Sequence, residues 1–138
     1  MNVKLCQLRP KLGDINKNLE SIKSCYGGSD EDIIIFPELF LSGYPPFDSL
    51  MYSEFSVELE QAIEECKTIT KGSENLLVVG SPSKTDGNWY NSVYLFCNGA
   101  IIHKYDKQCL PNYDIFNESR YFLVGDNSPI FEWNNKRL

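Results

Sequence analysis

Asp32-Ile-Ile-Ile-Phe-Pro-Glu-Leu-Phe-Leu-Ser-Gly-Tyr-Pro-Pro, residues 32 to 46, is the stretch whose reading decides the fold. Ile33 to Phe36 is an unbroken apolar run, mostly β-branched and stopped by Pro37, which predicts a strand buried on both faces. Glu38 stands just past its end. A carboxylate flanked by Phe36, Leu39, Phe40 and Leu41 is costly to desolvate unless a cation or hydrogen-bond donors meet it. Either Glu38 turns out to water where the strand stops, or it has a partner elsewhere in the chain.

Working outward, Val3, Leu5 and Gln7 alternate with Lys4, Cys6 and Leu8 as an opening strand closed at Arg9-Pro10. Asp14 is placed to cap a helix whose apolar face is Ile15, Leu19, Ile22 and Tyr26, ended by Gly27-Gly28. Beyond the central stretch, Phe55, Leu59, Ala62, Ile63, Cys66 and Ile69 write a second helix over 53–70 that stops at Gly72. Leu76 to Val79 reads as another buried strand. Asn88 to Phe96 and Ala100 to Lys107 read as two strands around an Asn98-Gly99 hairpin turn.

The last of these strands offers the partner. At a period of two, Ile101, His103, Tyr105 and Lys107 share one face, which puts Lys107 on the more apolar side. A lysine there either pairs with a carboxylate or loses its proton, and Glu38 is the natural candidate. His103 reads as a packed strand residue. Residues 110 to 122 form a loop dense in aromatic and charged side chains that ends at Gly125, a composition that serves equally as a binding loop or a lid on the core.

The chain has 138 residues, 42% of them hydrophobic, which is enough for one domain. A net charge of −6 with scattered acidic residues argues against binding a nucleic-acid backbone or an anionic membrane. No apolar run approaches membrane-spanning length and residues 1 to 14 lack a signal-peptide core, so a cytoplasmic location is expected. Five widely spaced cysteines without a Cys-x-x-Cys pair fit reduced thiols, and a single histidine makes a zinc site improbable; no metal ligands are expected.

Four stretches resemble a known family: Gln7 to Leu19, the Phe-Pro-Glu-Leu-Phe-Leu-Ser-Gly-Tyr-Pro-Pro run, Gly80-Ser-Pro with Tyr90-Asn-Ser, and Tyr105 to Gly125. They resemble the nitrilase superfamily of carbon-nitrogen hydrolases and, within it, the amino-terminal glutaminase domains of glutamine-dependent NAD synthetases. Lys107, two variable residues, Leu-Pro-Asn-Tyr and the downstream Phe-x-Glu-x-Arg-Tyr-Phe are the most specific match. The resemblance implies an α/β fold, the amino-terminal half of an α-β-β-α sandwich of the nitrilase type, in a single truncated domain over residues 1–138. It implies a glutamate–lysine–cysteine triad in which Glu38 is the general base and Lys107 stabilises the tetrahedral intermediate. Tyr44 and Tyr113 match tyrosines lining the glutamine pocket, and Glu118 matches a second glutamate that positions substrate and triad.

The family's nucleophilic cysteine lies downstream of the lysine, on a strand-to-helix turn, and none of the five cysteines here is in that setting. Cys109 alone shares the strand parity of Lys107, but it stands closer to the lysine than the family spacing allows. The chain by itself is therefore expected to be inactive. The resemblance further implies glutamine as substrate, a missing carboxy-terminal half, and a synthetase domain that uses ATP and magnesium to amidate deamido-NAD, with no cofactor in this chain. A homo-oligomer is implied for the intact enzyme. Two other readings stay open: a piece of a free-standing amidase of the same superfamily, and a non-catalytic remnant acting as an interaction module. The final run from Pro129 to Leu138 is expected to begin another apolar strand.

Overall fold

The computed structural model describes residues 1–126 and 130–138. Five strands, β1 (Val3–Leu5), β2 (Ile33–Ile35), β3 (Leu76–Thr85), β4 (Asn88–Cys97) and β5 (Ala100–Asp106), form one sheet in sequential order. The β1–β2 and β2–β3 pairings are parallel; β3–β4 and β4–β5 are antiparallel. Parallel neighbours need crossovers, and α1 (Ile15–Tyr26) and α2 (Ser53–Thr70) supply them. Both helices cover the same sheet face, where their apolar residues join Ile34, Phe36, Leu77, Val79 and Phe96 in the main core.

The helices follow their sequence signals closely. Asp14 caps α1 by accepting from the Lys17 N–H at 3.1 Å, and Ile15, Leu19, Ile22 and Tyr26 are buried. Burying one such side chain contributes about 1.5–3 kcal/mol, so this face is what keeps a twelve-residue helix in place. Asn18 is the unexpected member of the buried set, 2% exposed. Its side chain bonds both the N–H and the C=O of Lys11 (2.7 and 2.8 Å) and the Leu41 carbonyl (3.0 Å), tying the loop before α1 to the stretch after Glu38.

Three strand expectations are corrected. β3 does not stop at Val79 but runs on to Thr85, because β4 returns along it through an Asp86-Gly87 turn with φ of 50° and 82°. Its Ser81, Pro82 and Ser83 find partners in Ser92, Asn91 and Tyr90, a long-range gain that local hydrophobicity does not report. In β5 the register slips between Leu95 and Phe96, so Ile101 opposes Phe96 whereas His103 opposes Leu95. The extra residue, Ile102, removes Ile101 from the face shared by His103 and Tyr105. β5 ends at Asp106, with Lys107 just beyond it, its N–H held by the Asn91 carbonyl at 2.8 Å.

At the chain's end the expected single strand is a small hairpin, β6 (Glu132–Trp133) and β7 (Lys136–Arg137), turning at Asn134 and Asn135 with φ of 49° and 58°. Pro129, where that strand was expected to begin, lies outside the described residues. Phe131 and Trp133 pack on the sheet face away from the helices, over Ile33, Leu76, Leu95 and Cys97. Val3 and Leu5, on the edge strand, are 45% and 73% exposed. Among the described residues the layering is thus one sheet with helices on one face, half of an α-β-β-α sandwich.

Candidate active site

Glu38 owes its place to the crossing of two backbones. After β2 the Phe36 N–H bonds Val78 at 2.9 Å, and the chain then turns over β3, with Leu39 at a φ of 49° and the Leu41 N–H on the Gly80 carbonyl at 3.1 Å. A Cβ at position 80 would lie 2.4 Å from the Leu39 nitrogen and 2.7 Å from the Pro37 oxygen. Only glycine permits that approach. Leu39, Phe40 and Leu41 are buried, and they anchor the loop while the Glu38 side chain stays about half exposed, at 50%. The apolar neighbours therefore hold the backbone and do not dry the carboxylate, which is both turned toward water and partnered.

Lys107 reaches across from the end of β5. Its Nζ lies 2.8 Å from Glu38 Oε1 and donates to Glu118 Oε1 at 3.1 Å. Asn91, on β4, also donates to Glu38 Oε1, at 2.6 Å, and Tyr44 donates to Glu118 Oε1 at 2.9 Å. The segment is pinned by a second close approach: the Gly125 N–H bonds the Lys107 carbonyl at 3.0 Å, and a Cβ on Gly125 would fall 2.1 Å from the Asp106 oxygen.

The desolvated acid is Glu118. It sits in the short turn Glu118–Arg120, 4% exposed, and its Oε2 lies 3.1 Å from Lys107 Nζ without an aligned hydrogen bond. Burial alone would pull the Lys107 ammonium down, but the hydrogen bonds and charges of Glu38 and Glu118 outweigh it and hold the amine above its ordinary value. Burial, followed by the bond to Glu118, pushes the Tyr44 phenol well up, so it remains a donor.

Of the residues singled out in the sequence, the structure brings Glu38, Lys107, Glu118 and Tyr44 into one connected group. Tyr113 stands apart from it: 68% exposed, it packs edge-on to Phe116, which in turn lies 6.3 Å from the Tyr44 ring. Tyr113 and the exposed Cys109 line, with Lys107, a hollow of about 550 Å³. A smaller hollow of about 170 Å³ lies over Glu38, Asn91 and Lys107, and a third, of about 530 Å³, runs from Tyr44 and Glu118 to Phe47 and Arg120. Asn91, Gly80 and Gly125 were not assigned roles from sequence. All three lie in stretches that carry the resemblance, and an asparagine interrupting the alternation of β4 is a local sign for the first; what the two glycines permit depends on contacts remote in sequence.

Among the described residues no group of three or more His, Cys, Asp or Glu side chains is arranged to hold a metal ion. No helix is long and apolar enough to cross a membrane.

A half-sandwich whose strand ends present a carboxylate and an amine, with a second, buried carboxylate set against the amine from a short turn, defines the class: the chain belongs to the carbon-nitrogen hydrolase family, which matches residues 2–138. More particularly, it is similar to glutamine-dependent NAD(+) synthetases. It is 35% identical to that of Aquifex aeolicus over 140 residues, covering all of this chain and 24% of the relative. The solved structure of the enzyme from Acinetobacter baumannii, in complex with adenosine diphosphate, superposes with a TM-score of 0.91 at 31% identity, over 99% of this chain and 26% of that one. An amidase from Nesterenkonia sp. shares the fold, with a TM-score of 0.84 at 20% identity. The chain spans about a quarter of the length of the synthetases it matches, at their amino-terminal end.

Proposed function

We propose that these residues form the acid–base half of a glutamine-hydrolysing site that supplies ammonia to an NAD synthetase. The observation that carries the reading is the shared engagement of Lys107 Nζ by Glu38 at 2.8 Å and Glu118 at 3.1 Å. An ammonium has three N–H donors, and two are used here, so one remains for an oxygen that becomes negative when a nucleophile adds to an amide carbonyl. Glu38 Oε1 already accepts from Lys107 and Asn91; among the described residues nothing donates to Oε2. Oε2 is the atom free to take a proton from an attacking thiol, return it to the departing ammonia, and then draw one from the water that cleaves the thioester. Glu118 holds Lys107 and Tyr44 and takes no proton in this scheme.

The thiol belongs outside these residues. Cys109 makes no hydrogen bond to Glu38 or Lys107, Cys6, Cys66 and Cys97 are buried, and Cys25 is half-buried against the main core at the end of α1. ATP and magnesium, which amidation of deamido-NAD would require, also belong elsewhere in the whole protein. The test is a chimera in which this chain replaces the matching 140 residues of the Aquifex aeolicus relative. It should release ammonia from glutamine, whereas the isolated 138-residue chain should not. A folded chimera without glutaminase activity would contradict the reading.

A further inference from the structure

β4 and β5 turn one side to the site and bury the other. Asn91 and Lys107 face the hollow above Glu38. Their neighbours Ser92 and Asp106 oppose each other in the ladder and lie on the side covered by the helices. There the Ser92 hydroxyl donates to Asp106 Oδ1, and the hydroxyls of Ser92 and Ser83 are 2.6 Å apart. Lys104 Nζ donates to Ser83 at 3.2 Å and lies 3.2 Å from Asp106 Oδ2. Four polar side chains from three strands thus close a ring beneath the sheet. Ser83 and Ser92 are 5% and 3% exposed, and Lys104 also lies 5.7 Å from the Tyr90 ring centroid.

Such a ring is a poor way to gain stability alone, because apolar residues of the same volume avoid the desolvation of an ammonium and a carboxylate. Its location indicates another use. The β4–β5 register already slips at Leu95/Phe96, so the hairpin turn does not by itself set the pairing further along. Ser92–Asp106 is the last pair of that ladder, and Lys107 follows it directly.

We propose that the Lys104–Ser83–Ser92–Asp106 ring is a positioning device that locks the end of β4 against β5, so that Asn91 and Lys107 both reach Glu38 Oε1. The inference rests on the assignment of Glu38 and Lys107 as the reactive pair. Because residues alternate across a strand, Ser83, Lys104 and Asp106 stand behind the site, and Ser92, which also borders the hollow over Glu38, joins them to it.

The test uses the 138-residue chain. Nitrogen NMR follows the titration of the Lys107 ammonium and the side-chain amide of Asn91 in the wild type, Ser92→Ala, Ser92→Thr and Glu38→Gln. Ser92→Ala changes no charge; it should lower the Lys107 midpoint toward that of a free lysine and shift the Asn91 amide away from its hydrogen-bonded position. Ser92→Thr, which keeps the hydroxyl, should restore both. Glu38→Gln should lower the Lys107 midpoint directly. If Glu38→Gln lowers it while Ser92→Ala loses thermal stability but leaves Lys107 and Asn91 as in wild type, the ring is only structural and the proposal fails. If Glu38→Gln changes nothing, the pair itself is wrong and the ring falls with it. Should Ser92→Ala not fold, Ser83→Ala opens the ring with the Ser92–Asp106 bond intact; an unchanged Lys107 midpoint there overturns the proposal equally.

Discussion

Lys107→Met leaves a buried carboxylate without its cation, and its cost can be worked from the geometry. Lys107 Nζ is 2.8 Å from one carboxylate and 3.1 Å from the other. With an effective dielectric of ~20 the contacts are worth about 6 and about 5 kcal/mol before desolvation. Much of the Glu38 share is lost to water, since that side chain is half exposed. Glu118 is different: at 4% exposure, only the Tyr44 hydroxyl among the described residues remains to meet its charge. Removing one partner of a buried pair costs roughly 3–5 kcal/mol, and partial exposure of Lys107 places this case at about 3. For a chain of this size that lowers the melting temperature by roughly 10 °C. The double variant Lys107→Met/Glu118→Gln removes the stranded charge as well and should regain about 1–2 kcal/mol over the single variant. Thermal and urea unfolding of the two single variants and the double give the coupling. Strict additivity, with the double variant as unstable as the sum, would refute the claim that Lys107 compensates Glu118.

Gly80→Ala should destabilise by about 3 kcal/mol, since its Cβ would meet the Leu39 nitrogen at 2.4 Å, and a structure of the variant should show Glu38 withdrawn from Lys107. Asn18→Ala strands the Lys11 and Leu41 backbone groups it now satisfies and should cost about 2–3 kcal/mol in urea unfolding. Alkaline pH should erode stability in a defined direction. The folded chain holds the Lys107 amine above the ordinary 10.5, so the stabilisation is complete below that value and disappears as pH rises through the folded one. Tyr44, kept neutral beyond the ordinary 10.0, loses stability in the same direction, and Glu38→Gln should flatten the alkaline decline measured by denaturant titration at successive pH values.

Local signals carried α1 and α2 because each meets its requirement within a few residues: Asp14 caps its own helix, and Phe55, Leu59, Ala62, Ile63 and Cys66 lie on one helical face. The Asn98-Gly99 turn was legible for the same reason, with φ of 47° and 80° that few other residue pairs accept. Glu38 and Lys107 stood out as charges at the ends of apolar strands, and the structure joins them. What stayed hidden depends on partners far along the chain. Gly80 to Thr85 is strand only because β4 pairs with it. Ile102 bulges through a slip that composition does not mark. Glu118, in a polar loop by composition, is buried because Lys107 and Tyr44 reach it there. Asn91 and Asn18 fall within a strand and a helix by sequence, but what they hold depends on hydrogen-bond partners 53 and 23 residues away.

The most direct measurement is the rate of ammonia release from glutamine by the chimera carrying Glu38→Gln, which keeps the shape of the side chain but cannot accept the thiol proton. Loss of a general base predicts that kcat falls by roughly 10²–10⁴-fold while KM changes little. A folded Glu38→Gln chimera that retains its kcat would contradict the assignment of Glu38 as the base.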